Sequence, residues 1–184
     1  MEMSVEQLVT IVSAVSANLA VVVAIVALIS QRNQSALSLK ANLLSSLNSE
    51  FFFHERIRQV RASASRFGLE RMRRNVEPGT ELAMSGFQMI DFFDIVAVYY
   101  KKGALDPEMV CVTFHFWLTH YWAAFSSDIE KFERDSGLRT YVDVRDLVVA
   151  LDRVALKLKR VPKGRTISQK ELQQFFSDEI GECE

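Results

Sequence analysis

Residues Leu8 to Ile29 form 22 consecutive positions without Asp, Glu, Lys, Arg, Gly or Pro. A hydrocarbon core about 30 Å thick is crossed by about 20 residues rising ~1.5 Å each, so the run predicts a membrane-spanning helix. Lipid offers no partner to backbone N–H and C=O groups, and a single segment meets that constraint only as an α-helix. Residues 1–31 carry Glu2 and Glu6 and no Lys or Arg, whereas all 22 basic residues follow from Arg32 onward. Basic residues are retained on the cytoplasmic side, which predicts an outside N-terminus, an inner-membrane location and a cytoplasmic remainder. A cleaved signal peptide would need a basic start and a shorter apolar stretch. Two cysteines, Cys111 and Cys183, make no disulfide framework and suit a reducing compartment.

The remainder reads as all-α. No Gly or Pro occurs between the apolar run and Gly68, so the first helix is expected to continue unbroken to there. Glu77-Pro78-Gly79 signals a loop. Leu82, Met89, Phe93, Val96 and Tyr100 recur at helical spacing, and Gly103 supplies a stop. Asp106-Pro107-Glu108 combines an N-cap, a first-turn proline and an acid at the positive end of the next helix. Val110, Phe114, Trp117, Tyr121, Phe125, Ile129 and Phe132 line one face of that helix, up to Gly137. A further helix spans about 141–160 with Leu147, Leu151, Val154 and Leu158 inward. Ser168 and Glu171 form a capping box before a short amphipathic helix carrying Leu172, Phe175, Phe176 and Ile180. The organisation is an extracytoplasmic N-terminus (1–7), a transmembrane helix (8–30), a cytoplasmic extension of the same helix (31–67), a helical bundle (80–160) and a linker with a C-terminal helix (161–184).

A stripe of small or polar residues runs through the anchor at alternating steps of four and three: Glu6, Thr10, Ser13, Ala17, Ala20, Ala24, Ala27, Gln31, Gln34, Ser38, Ala41, Ser45 and Asn48. None of these thirteen is large and apolar, whereas 18 of the 43 residues from Glu6 to Asn48 are. Small side chains let helix backbones approach where no hydrophobic drive separates protein from lipid, and a seven-residue repeat implies left-handed supercoiling. Asn18 lies off the stripe near mid-bilayer, where its amide also calls for a partner. Thr10, Ser13, Ala17, Asn18, Ala20, Ala24, Ala27 and Gln31 are therefore the candidate self-association or lumen residues. Few copies would bury the stripe, and a larger ring would turn it toward water.

Seven arginines, Arg56, Arg58, Arg61, Arg66, Arg71, Arg73 and Arg74, form a second candidate site, for an anion or nucleic acid. Guanidinium forks suit phosphates and carboxylates. Arg56 lies 24 residues beyond Arg32, about 36 Å along a straight helix, outside the reach of a surface potential that decays within ~8 Å. The alternative is a helix face paired with the domain's own acids. Asp91 and Asp94, one turn apart, would find partners in His115 or His120 if buried. The two histidines point about 140° apart on a helix, which disfavours a shared metal. No cofactor, nucleophile signature or Gly-rich phosphate loop is present in the sequence, and the chain reads as non-enzymatic.

Phe87-Gln-Met-Ile-Asp-Phe-Phe-Asp-Ile-Val-Ala97, Lys102-Gly-Ala-Leu-Asp-Pro-Glu108 and Trp117-Leu-Thr-His-Tyr-Trp122 resemble an uncharacterised family of small bacterial membrane proteins, over residues 40–155. That resemblance implies one N-terminal span and a helical cytoplasmic domain, with no assigned catalytic residues. By architecture the chain is also similar to the membrane accessory protein of RNA-targeting CRISPR systems, a ring-shaped pore with a degenerate HEPN-like domain. HEPN ribonucleases place His four to six residues after Arg, a spacing that His54, His115 and His120 lack. The combined expectation is a membrane-bound homo-oligomer, scaffold or gated pore, in stress or phage defence. A membrane-tethered RNA- or nucleotide-binding module using Arg56–Arg74 is the alternative, and the cytoplasmic domain would meet any nucleic acid or protein partner.

Overall fold

The backbone is described for residues 5–76 and 84–183, and side chains for 27–76 and 84–183, in a computed structural model. Six helices and no strand occur among the described residues: α1 Val5–Phe53, α2 Glu55–Arg73, α3 Met84–Lys101, α4 Pro107–Ser136, α5 Val142–Lys157 and α6 Gln169–Cys183. The chain is all-α. It divides inside α1 into two units, Met1–Asn42 and Leu43–Glu184.

In the first unit the backbone is helical from Val5. Among the described residues no helix is long and apolar enough to cross a membrane. The side chains of residues 8–26, which make up most of the expected span, lie outside that set. From Ala27 to Leu39 every residue is exposed, including Leu28, Ile29, Leu37 and Leu39 at 55–69%.

The second unit holds the core. Caps set three of its boundaries. Asp106 accepts hydrogen bonds from the backbone N–H groups of Glu108 and Met109, each at 3.0 Å, and starts α4. Gly137, at φ +71°, ends it with its N–H on the Glu133 carbonyl. The Ser168 hydroxyl accepts from the Glu171 N–H at 3.2 Å, half of the expected capping box. The other half is not made: the Glu171 carboxylate turns instead to Arg165 and His120.

Two boundaries differ from expectation. The helix expected to run unbroken to Gly68 leaves helical geometry at His54 (φ −75°, ψ 122°) and restarts as α2, which passes through Gly68 to Arg73. No local residue forces this; packing does. Phe51 is fully buried among Phe92, Phe93, Phe114 and Trp117, at ring distances of 5.1–5.8 Å. The bend at His54 lets the next helix lie against the same core. The helix expected to reach about residue 160 ends at Lys157, because Lys159 takes φ +56°. The Glu77-Pro78-Gly79 loop and Leu82 lie outside the described residues.

Most expected inward faces are buried. Met89, Phe93, Val96, Val110, Phe114, Tyr121, Phe125, Ile129, Leu147, Leu151, Leu172, Phe175 and Phe176 all belong to the core. Phe132 does not, remaining 39% exposed. The inward face of α2 is small where it meets α6: a Cβ added at Gly68 would lie 2.4 Å from the Phe176 ring, which is itself fully enclosed. Gly68→Ala is therefore expected to cost about 1–3 kcal/mol by overpacking. Gly181→Ala, with nothing within 4 Å, serves as the neutral or mildly stabilising control. Urea titration of the two variants measures the difference.

Candidate functional site

The arginine segment does not act as one surface. Its geometry follows from α2, whose buried face includes Arg61, Ala62, Ala64, Ser65, Gly68 and Arg71. Small residues let the two guanidinium groups enter the interior, and each finds a carboxylate there.

Arg61 is 2% exposed. Its Nε and Nη2 donate to the two oxygens of Glu179, at 2.8 and 2.7 Å, as a bidentate pair. Its Nη1 donates to the Phe51 carbonyl at 3.3 Å, one of the carbonyls that the end of α1 leaves unpaired. The guanidinium lies over the rings of Phe51 and Phe52, at 4.6 and 5.3 Å. Trp117 Nε1 and the Tyr121 hydroxyl also donate to Glu179, each at 2.9 Å. Glu179 thus accepts four hydrogen bonds, matching the roughly four acceptor sites of a carboxylate. Burial alone would lower the Arg61 pKa, but the hydrogen bonds and charge of Glu179 outweigh it and hold it above its ordinary value. Burial, then the charge of Glu179, raises the Tyr121 phenol well above its usual range.

Arg71, 4% exposed, donates to Asp128 at 2.7 Å and to the Ala124 carbonyl at 2.6 Å, joining α2 to α4. Of the remaining five, Arg58 donates to the Cys183 carbonyl at 3.0 Å and lies 3.6 Å from Glu55. Arg56, Arg66, Arg73 and Arg74 are exposed, with Arg66 and Arg74 engaged with neighbours. Two of seven proposed anion ligands are therefore committed to interior ion pairs.

The carboxylates and histidines singled out in the sequence are not brought together. Asp91 is exposed and accepts from the Tyr141 hydroxyl at 2.7 Å. Asp94 is half-buried, and its pKa is raised by burial and then by the charges of Asp143 and Asp91. His115 pairs instead with Asp152 at 2.8 Å. His120 is buried against Phe116 and Phe175; its Nδ1 bonds the Phe116 carbonyl at 2.6 Å and so carries the proton. His120 Nε2 lies 3.4 Å from Glu171 without a hydrogen bond. No group of His, Cys, Asp or Glu suited to a metal ion occurs among the described residues. Both cysteines are free; Cys111 donates to the Leu151 carbonyl at 3.8 Å, and burial raises both thiol pKa values.

Of the candidate self-association or lumen residues, Ala27 and Gln31 are exposed. Thr10, Ser13, Ala17, Asn18, Ala20 and Ala24 sit on a helical backbone, with side chains outside the described residues. Glu179 escaped the sequence reading. Its signal is an acid in register with Leu172, Phe175 and Phe176 on the apolar stripe of α6.

The fold and these contacts define a helical bundle held by buried arginine–carboxylate pairs. The chain belongs to the family described as a domain of unknown function, DUF4760, whose model matches residues 14–150. The match ends within α5, so Glu179 lies beyond it while Arg61 lies inside. No curated protein and no solved structure matches the chain.

Glu179→Gln strips Arg61 of its buried charge partner and is expected to destabilise the bundle by about 3–5 kcal/mol, with Arg61→Met/Glu179→Leu recovering only part of that loss because Trp117 Nε1 and the Tyr121 hydroxyl lose their acceptor; urea unfolding of both variants checks this. Burial holds the His120 pKa below its ordinary 6.5. Unfolding then takes up a proton between the folded and ordinary values, so this contribution is complete above pH 6.5 and lost as pH falls toward the folded value. His120→Phe should flatten the stability difference between pH 5 and pH 7.5 relative to the unaltered chain, read from paired denaturation curves.

Proposed function

We propose that this DUF4760 chain is a non-enzymatic, self-associating protein anchored in the bacterial inner membrane by residues 8–30, N-terminus outside. It would act as a scaffold or a gated pore. The observation that carries the reading is the charge-free run of 22 residues, continued without a backbone break into an exposed segment. Leu37 and Leu39, 64% and 69% exposed, flank Ser38 of the small-residue stripe and have no apolar cover among the described residues. Large aliphatic side chains left uncovered beside a small-residue seam favour a second copy of the same helix. Small residues at a helix–helix contact favour close approach in lipid as well. A role in stress or phage defence rests on architectural similarity alone.

The alternative reading, a tethered RNA- or nucleotide-binding module on Arg56–Arg74, is weakened by the internal use of Arg61 and Arg71. The two readings separate experimentally. Ala20→Leu/Ala24→Leu is expected to reduce the mass of the assembly in nanodiscs to that of a monomer. Arg56→Glu/Arg73→Glu should leave it unchanged. A monomeric natural chain, or an assembly indifferent to the leucines, would overturn the proposal.

A further inference from the structure

We propose that the cleft between α4, α5 and the connection to α6 is a binding site for a small aromatic phosphate of the nucleoside monophosphate class. It shares no residue with the small-residue stripe or the Arg56–Arg74 segment, and it stands whether or not the chain self-associates. The cavity measures about 300 Å³, at the lower end of the range of ligand pockets and matched to one ring system with its phosphate. Its walls are largely apolar: Trp122, Val148, Leu156 and Ile167 offer an indole and aliphatic surface for a planar body.

Two polar features converge on this apolar space. The first is His115, held at Nε2 by Asp152 at 2.8 Å. Its Nδ1 has no hydrogen-bond partner among the described residues and is free to bond a ring edge. The Asp152 carboxylate is engaged by the imidazole, which limits its repulsion of an incoming anion. The second is charge. Between Asp152 and Glu171 the chain carries Arg153, Lys157, Lys159, Arg160, Lys163, Arg165 and Lys170 and no acid, in a protein whose net charge is −1. Lys157 pairs with Glu108, and Arg165, a lining residue, with Glu171.

Lys159, Arg160 and Lys163 are exposed and have no carboxylate partner among the described residues. They are sequence neighbours of the lining residues Val161, Pro162 and Gly164, so the segment that borders the cleft carries positive charge without a carboxylate partner. Pro162 restrains the backbone of that segment. Several cationic donors on one segment suit a phosphate monoester better than a carboxylate, because it carries up to two charges and three terminal oxygens against one charge and two oxygens. An apolar wall beside an unneutralised cationic segment selects a ligand carrying both characters.

The test is calorimetric titration of the full chain in detergent with adenosine 5′-monophosphate, adenosine, inorganic phosphate and 1-naphthoate. The monophosphate is expected to bind saturably at one site per chain, with each of the other three at least about tenfold weaker. Ala123→Trp, which fills the cleft, should weaken monophosphate binding by at least about tenfold with helicity unchanged. Lys159→Gln/Arg160→Gln/Lys163→Gln alters only exposed side chains and should reduce the monophosphate to the affinity of adenosine. No binding of the monophosphate overturns the proposal. So does binding that survives both sets of substitutions, phosphate binding as tight as the monophosphate, or a preference for naphthoate.

Discussion

The Arg61–Glu179 pair places two full charges in an interior where each, alone, would cost several kcal/mol to desolvate. That constraint explains what surrounds it. Glu179 must fill four acceptor sites, and it does so with side chains from α2 and α4: Arg61 twice, Trp117 and Tyr121. Arg61 must fill its remaining donors, and it closes on the last turn of α1 at Phe51. One ion pair thereby fixes the mutual placement of the end of α1, α2, α4 and α6. A lysine at position 61 would supply one charge without the fork, and the geometry would not close.

Around that pair the aromatic core is arranged to exclude water. Phe51, Phe92, Phe93 and Phe114 meet edge-on or tilted, the arrangement their ring quadrupoles favour. The bend at His54 belongs to the same design, since Phe51 and Arg61 sit on opposite sides of it and touch at 4.6 Å. A second pair, Arg71–Asp128, joins α2 to α4 ten residues further along, flanked by Phe67 and Phe125. The α4–α5 turn is closed at the surface by Arg145, whose guanidinium and the Thr140 N–H both reach Glu133. That hydrogen bonding from Arg145 holds the Glu133 carboxyl below its ordinary range.

Helix starts and stops were legible where a capping side chain or a glycine sets them: Asp106, Gly137 and Ser168 do what their types imply, whereas the positive φ of Lys159 that ends α5 had no signal in its residue type. So were the buried faces of α4 and α6, because apolar residues there follow the helical period. What could not be read locally depends on distant partners. Nothing near His54 announces a break, since the cause is the pocket that Phe51 enters. Arginine spacing in α2 gave no hint of which guanidinium groups turn inward, because their carboxylates sit 57 and 118 residues away. The partners of His115 and His120, Asp152 and the Phe116 carbonyl, were not apparent either. Asp152 belongs to another helix, and Asp91 meets Tyr141 instead.

The two native thiols have a practical corollary. The thiolate is the nucleophilic form, and burial keeps both Cys111 and Cys183 protonated beyond the usual pH. Alkylating reagents at neutral pH should therefore attack an added, open sulfhydryl first. A single cysteine installed at an exposed point of the long helix, such as Ser38, can carry a spin label or fluorophore without first stripping the natural chain of its own sulfur.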